Sequence, residues 1–181
     1  MPKYSNMYKK WIKMPAKEDL EILDKITSEF KIKCEVRRKG RIWLDTPREG
    51  FVDFCKWLKE QGFEHLSAIS AIDWPDESMC ELAYHLWSYQ DKILITLKVK
   101  IDRQNAVFDS VAEVWDGSAQ AHEREIHELF GVKFEGNNNL TPLFLEDWQG
   151  PPPFRKDFDW REYVRGKYYD RQNERERVYY D

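Results

Sequence analysis

Cysteine is scarce and scattered: Cys34, Cys55 and Cys80 are the only three, and no two form a CxxC pair. Such spacing argues against a disulfide framework or a close-set metal-cluster motif. It leaves the thiols as small buried hydrophobes of a reducing compartment. Long apolar runs are missing too, since none approaches the roughly 20 residues needed to span a bilayer. Residues 1–14 are charged throughout and lack the apolar stretch of a signal peptide, so the chain reads as soluble and cytosolic. There is no excess of positive charge. A net charge of -4 argues against a general nucleic-acid binder, which would show a basic face.

What the sequence does hold fits one domain. Its 181 residues, 41% hydrophobic, suffice for a core without staples. The 34% of charged residues make a Lys/Glu/Arg-rich surface that suits a thermophile. Residues 17–30 predict an amphipathic helix with Leu20, Leu23, Ile26 and Phe30 as its stripe. Two alternating runs flank Lys39-Gly40, Cys34-Glu35-Val36-Arg37-Arg38 and Ile42-Trp43-Leu44-Asp45, and signal a hairpin. Pro47 is expected to open a second helix, with Phe51, Phe54, Cys55 and Leu58 inward and Gly62 as its stop. Residues 66–74 read as a strand ended by Pro75.

Further on, Cys80, Leu82, Tyr84 and Leu86 alternate, as do Ile93, Ile95, Leu97, Val99 and Ile101, and the short link between the two runs predicts antiparallel pairing. Residues 111–115 read as a short helix or turn. Ser118 is the expected N-cap of a later helix and Gly131 its C′ residue. These elements predict an α+β fold, helices packed on a mainly antiparallel sheet, over residues 1–135, followed by an extended C-terminal arm over 136–181.

The distinctive residues lie in 122–163. His122 and His127 invite comparison with HExxH, but that motif needs its histidines four apart on one face. Here the gap is five, which turns the two rings about 140° apart. The helix instead offers an apolar stripe of Ile126, Leu129 and Phe130, flanked by Glu123 and Glu125, with Arg124 and Glu128 on the far face. Beyond it, Asn139-Leu140-Thr141 reads as a polar turn into Pro142. Pro151-Pro152-Pro153 is expected to be stiff and extended, aiming Phe154, Arg155, Lys156 and Asp157. The tail also holds Phe158, Trp160, Tyr163, Tyr168, Tyr169, Tyr179 and Tyr180, whereas a merely solvated tail is poor in aromatics. Its alternating Arg and Glu over 173–177 exclude a polybasic arm. Aromatics and arginines anchor interfaces, so the tail either docks on a partner or folds back on its own domain.

At these residues the chain resembles the 30-kDa subunit of respiratory complex I and its relatives in energy-converting membrane hydrogenases. The matching residues are Glu123-Arg124-Glu125, Phe130-Gly131, Leu140, Glu146-Asp147-Trp148, Gly150 and Pro153-Phe154-Arg155-Lys156-Asp157-Phe158. It departs from that pattern at Ala121, at Asn137-Asn138 and at Phe154, which leans towards the archaeal hydrogenase-like or sulfur-reducing branch.

The resemblance implies a non-catalytic assembly subunit in the peripheral arm of a membrane-bound, ion-pumping redox complex. It would clamp a large catalytic subunit of the hydrogenase large-subunit type, beside iron–sulfur subunits, on the cytoplasmic side of the membrane. It implies no cofactor in this chain; iron–sulfur clusters, and nickel–iron in the hydrogenase branch, would lie in partner subunits. The partner-binding residues it implies are Glu123, Arg124, Glu125, Asp147, Trp148, Phe154, Arg155, Lys156, Asp157, Phe158, Trp160 and Tyr163. A sulfur- or quinone-reducing relative of that complex is the nearest alternative. A stand-alone RNA-binding α+β module and a stand-alone hydrolytic enzyme are the rivals from other classes.

Overall fold

The computed structural model of the chain describes residues 17–169. Residues 1–14, the Arg/Glu run of 173–177, Tyr179 and Tyr180 lie outside the described residues, as do the side chains of Tyr168 and Tyr169.

Helix α1 (Lys17–Phe30) leads into a hairpin of β1 (Lys33–Arg38) and β2 (Arg41–Asp45). Of the predicted stripe of α1, Ile26 is buried and Leu23 and Phe30 pack against the core, but Leu20 is 47% exposed and Asp19 and Ile22 go inward. The reason is polar. Both carboxylate oxygens of Asp19 accept from the Gly40 N–H at 3.1 Å, pinning the helix to the hairpin turn. A reading based on apolar periodicity passes over such an anchor.

Helix α2 (Phe51–Glu60) begins later than Pro47 suggests. A turn closed by Phe51 N–H donating to the Arg48 carbonyl intervenes, and Gly50 at φ 72° holds the N-cap. Its expected stripe of Phe51, Phe54, Cys55 and Leu58 is wholly buried.

Three long strands follow: β3 (His65–Trp74), β4 (Met79–Ser88) and β5 (Ile93–Asp102). The five strands take the order β1-β2-β5-β4-β3, in which only β2 and β5 run parallel. Leu82, Tyr84 and Leu86 pair with Val99, Leu97 and Ile95 on the covered face. There Phe51 of α2 packs on Tyr84 and on Phe108, at ring-centroid distances of 4.9 and 5.0 Å. Cys55 and Cys80 are buried as expected, but Cys34, on the outermost strand, is half-buried.

Tyr84 is fully buried, and its hydroxyl has no hydrogen-bond partner among the described residues. Burial, and then the nearby Glu123 carboxylate, push its pKa well above the usual phenol value. A buried hydroxyl without a partner costs about 1–3 kcal/mol. Tyr84→Phe therefore leaves stability unchanged or raises it by about 1 kcal/mol in urea unfolding; a loss of more than that would reveal a partner for the hydroxyl.

After β5, residues 111–115 form a turn between β6 (Val107–Asp109) and helix α3 (Asp116–Phe130). Trp115, not Ser118, holds the N-cap, because the Ser118 hydroxyl lies inside the first turn and donates to the Trp115 carbonyl. Gly131 ends the helix at φ 75°, and β7 (Lys133–Glu135) returns to pair in parallel with β6. The region beyond Phe134 is less irregular than the sequence suggests: helix α4 (Trp160–Val164) is capped by the Asp159 carboxylate, which accepts from Arg161 and Glu162 N–H. Among the described residues no helix is long and apolar enough to cross a membrane.

Candidate functional site: the junction of helix α3 and the arm

Helix α3 organises the arm through three side chains, Glu123, Arg124 and Glu128, and holds its own exit through a fourth, His127. Glu123 is fully buried; its carboxylate accepts from Ser110 Oγ at 2.7 Å, the Val111 N–H at 2.8 Å and Asn137 Nδ2 at 2.8 Å. Burial raises its pKa, and these three donors offset only part of that rise. It thus ties the loop after β6 to the first turn of the arm. The next residue, Arg124, donates from Nε to the Thr141 carbonyl and from Nη2 to that of Pro142, both at 3.0 Å.

One helical turn beyond Arg124, Glu128 accepts the successive N–H groups of Leu143, Phe144 and Leu145, at 3.0, 3.0 and 2.6 Å. Burial pushes its carboxyl up, but those three donors together outweigh it and leave the pKa below the usual value. Finally, His127 Nδ1 lies 2.8 Å from the Val132 carbonyl, and because a carbonyl can only accept, that nitrogen carries the proton.

The end of α3 supplies carbonyls that no helical residue can reach. The arm satisfies two of them. Phe154 N–H donates to the Leu129 carbonyl at 3.0 Å and Arg155 Nε to that of Phe130 at 2.9 Å. The prolines do not run on as a straight rod, because Arg155 N–H turns back onto the Pro152 carbonyl. Pro152 fills the space a side chain at residue 131 would need: a Cβ on Gly131 would lie 2.7 Å from Pro152 Cγ. Gly131→Ala therefore meets two penalties, a left-handed backbone worth about 1–2 kcal/mol and displacement of the proline. A drop in melting temperature of several degrees is expected; an unchanged melt would mean that Pro152 is not seated there.

A second anchor lies at the ends of β3 and β5. The Arg103 guanidinium donates to both oxygens of Asp73, at 2.6 and 3.0 Å, and its Nη2 lies 2.7 Å from Asp157 Oδ1. Asp73 also accepts the Lys156 N–H at 2.8 Å, while Lys156 Nζ stands 5.3 Å over the Trp74 ring. Arg103 holds both Asp73 and Asp157 below the usual carboxylate range. Further along, Trp148, Phe158 and Tyr163 form a knot with centroids 5.0–5.9 Å apart. Trp148 Nε1 donates to the Pro151 carbonyl.

Most of the residues singled out from sequence thus converge, though not as expected. Arg155, expected with Lys156 to pair with a partner, bonds within the chain, as does Asp157. Of the two roles expected of Glu123 and Arg124, fixing the arm to the domain or meeting a partner, their bonds to Asn137, Thr141 and Pro142 fit the first. Glu125 is half-buried and takes no part in these bonds, and Asp147 sits exposed at φ 56°. Phe154 and Trp160 remain 57% and 58% exposed, with Phe144 also open to solvent.

Sequence reasoning missed Asp73, Arg103, Ser110 and Asn137, and it placed Glu128 on a solvated face. A signal existed for Asp73: it falls in phase with Ile69 and Ala71, so an acid points at the core and needs a cation. Among the described residues no group of three or more His, Cys, Asp or Glu side chains is placed to hold a metal ion.

The profile of the family described as respiratory-chain NADH dehydrogenase, 30 Kd subunit, matches residues 44–164. The chain is 33% identical over 134 residues to a subunit of the F(420)H(2) dehydrogenase of Methanosarcina mazei, a match covering 73% of this chain and 82% of that one. It is 35% identical over 116 residues to a subunit of the NADH-quinone oxidoreductase of Moorella thermoacetica, covering 64% and 78%. Among solved structures, one chain of the membrane-bound sulfane sulfur reductase, an archaeal respiratory membrane complex, superposes with a TM-score of 0.75 at 33% identity. That match covers 86% of this chain and 95% of the other. The trypsin-resistant fragment of Nqo5 gives 0.58 at 27% identity, covering 67% and 98%.

Proposed function

Because the chain belongs to the 30-kDa subunit family of respiratory-chain NADH dehydrogenase, we propose that it is a structural subunit of a membrane-bound oxidoreductase complex of the complex I type. It carries no redox group of its own and clamps the large catalytic subunit of that complex, beside iron–sulfur subunits. It reaches the membrane only through those partners, on the cytoplasmic side. The likeness to a chain of an archaeal sulfane sulfur reductase is consistent with the sulfur-reducing branch.

The observation that carries the reading is an arm held along a fixed path by α3 with large aromatics turned outward. Glu128, Arg124 and the last carbonyls of α3 fix the backbone, yet Phe144, Phe154 and Trp160 stay exposed. Aromatics held rigid and open are the side chains that act as hot spots at interfaces.

Trp160→Ala tests it. The tagged chain, extracted from its own cells in mild detergent, should bring down the large and iron–sulfur subunits together with iron. The variant should recover at least about ten-fold less of them, the scale of a hot-spot loss. Its unfolding midpoint should stay at the wild-type value. A variant that co-purifies with the same subunits in the same yield would remove Trp160 from the interface, and a wild-type chain recovered alone and without iron would sink the whole reading.

A further inference from the structure

We propose that residues 152–158 form a latch that the chain closes on its own domain before any partner arrives, with Arg103 as its catch. This goes beyond the docking role: it concerns the free chain, and its test uses the free chain.

Three separate sets of contacts converge on this short stretch. At the end of α3, the Phe154 N–H and the Arg155 guanidinium take the carbonyls of Leu129 and Phe130. Pro152 occupies the room left by the missing side chain of Gly131. At the end of the sheet, Asp73 takes the Lys156 N–H and Arg103 takes Asp157. None of the groups satisfied in this way needs a second protein.

The ion pairs divide unequally. Asp73 and Arg103 have side-chain exposures of 3% and 6% and belong to the domain, whereas Asp157 is 60% exposed and belongs to the arm. The guanidinium has a fixed, buried half-site and an open half-site that the arm fills. Asp73 is equally double-faced, with Arg103 on one side and a backbone N–H of the arm on the other. Removing the arm would leave one donor edge of Arg103 and one acceptor position of Asp73 facing water, not trapped in the core. The domain can therefore stay folded with the latch open.

Closing the latch is inexpensive in entropy, because Pro151, Pro152 and Pro153 have their φ angles set in advance. Arg155, Lys156 and Asp157 are on this account positioning residues. They hold the exposed Phe154 and Trp160 at a fixed place on the surface of the free chain.

The test is hydrogen–deuterium exchange by mass spectrometry on the full-length chain alone, as wild type, Asp157→Asn and Arg103→Gln. In wild type, peptides spanning 152–158 should exchange at least about a hundred-fold more slowly than an unstructured chain. Asp157→Asn should lower that protection several-fold while peptides of β4 and β5 keep theirs. Arg103→Gln, which also strips Asp73 of its cation, should abolish it and lower β4 and β5 only as far as the loss of global stability requires. Exchange of 152–158 at the unstructured rate in wild type would overturn the proposal. So would equal protection in all three proteins, or parallel loss in arm and sheet in Asp157→Asn. Should Arg103→Gln fail to fold, Asp157→Asn decides alone, since the Asp157 side chain is exposed and Asp73 still holds Arg103 without it.

Discussion

Arg103→Met should destabilise the protein by about 3–5 kcal/mol, the usual cost of stripping a buried carboxylate of its cation. Asp73 lies almost wholly inside, and without the guanidinium it keeps only the Lys156 N–H as a donor among the described residues. Equilibrium unfolding in urea at pH 7 measures the loss. The double variant Arg103→Met with Asp73→Leu should recover much of it, because an apolar pair of similar volume replaces a buried ion pair at little cost. If the double variant were as unstable as the single one, the damage would come from packing and not from the orphaned charge.

The pH dependence carries the same signature. Arg103 depresses the folded-state pKa of Asp73 and Asp157. Their contribution is thus complete above the unfolded carboxylate value and is lost as pH falls through the depressed folded values. In the single variant this acid-side loss should flatten.

Glu123 should give the second large effect, with the opposite sign in acid. Glu123→Ala leaves the Val111 N–H and Asn137 Nδ2 without an acceptor, for a loss of about 2–4 kcal/mol. Ser110 is less affected, since its hydroxyl can rotate while still accepting the Ala112 N–H. Glu123→Gln is the more telling change. Its carbonyl can keep Val111, but its amide then faces Asn137 Nδ2, donor against donor. Asn137 cannot flip freely, because its carbonyl oxygen already accepts the Asn139 N–H. A loss of about 1–2 kcal/mol follows.

Burial raises the folded-state pKa of Glu123, so the folded protein takes up this proton before the unfolded chain does. The group therefore adds stability as pH falls from its folded value to its unfolded one, partly offsetting Asp73 and Asp157. Urea midpoints from pH 7 down to pH 4 should fall more steeply for Glu123→Gln than for wild type. Parallel curves would show that Glu123 does not titrate differently on folding.

Where burial follows a simple period, the fold was legible in the sequence. The stripe of α2 and the alternation of β4 and β5 are visible because every inward residue is apolar and the outward ones mostly are not. Legibility fails where a polar side chain does the anchoring. Asp19 takes an inward place on α1 while Leu20 beside it stays exposed, because a bond to a backbone N–H leaves no trace in periodicity. Arg103 and Asp73 are far apart in sequence and become partners only when β3 and β5 flank β4.

At the candidate site most of the residues named from the sequence are brought together, while the bonds they make within the chain were not foreseen. Arg124 and Glu128, four apart on α3, look like a solvated surface pair; both are spent on the backbone of the arm. Composition can mark an arm as rich in aromatics, but it cannot tell which of its charges will turn inward.

The parallel contact between β2 and β5 has a consequence for how the chain reaches its native state. The β1–β2 hairpin and the β3–β4–β5 meander each close through neighbouring residues and can form early and separately. Joining them must wait for β5, because β2 finds its partner only there. Loop closure makes such non-local pairing slow, so the docking of β2 on β5 is the step expected to limit folding. Until it happens, the edge of β2 carrying Ile42 and Leu44 stands unpaired, and this is where a nascent chain would be most open to the wrong neighbour.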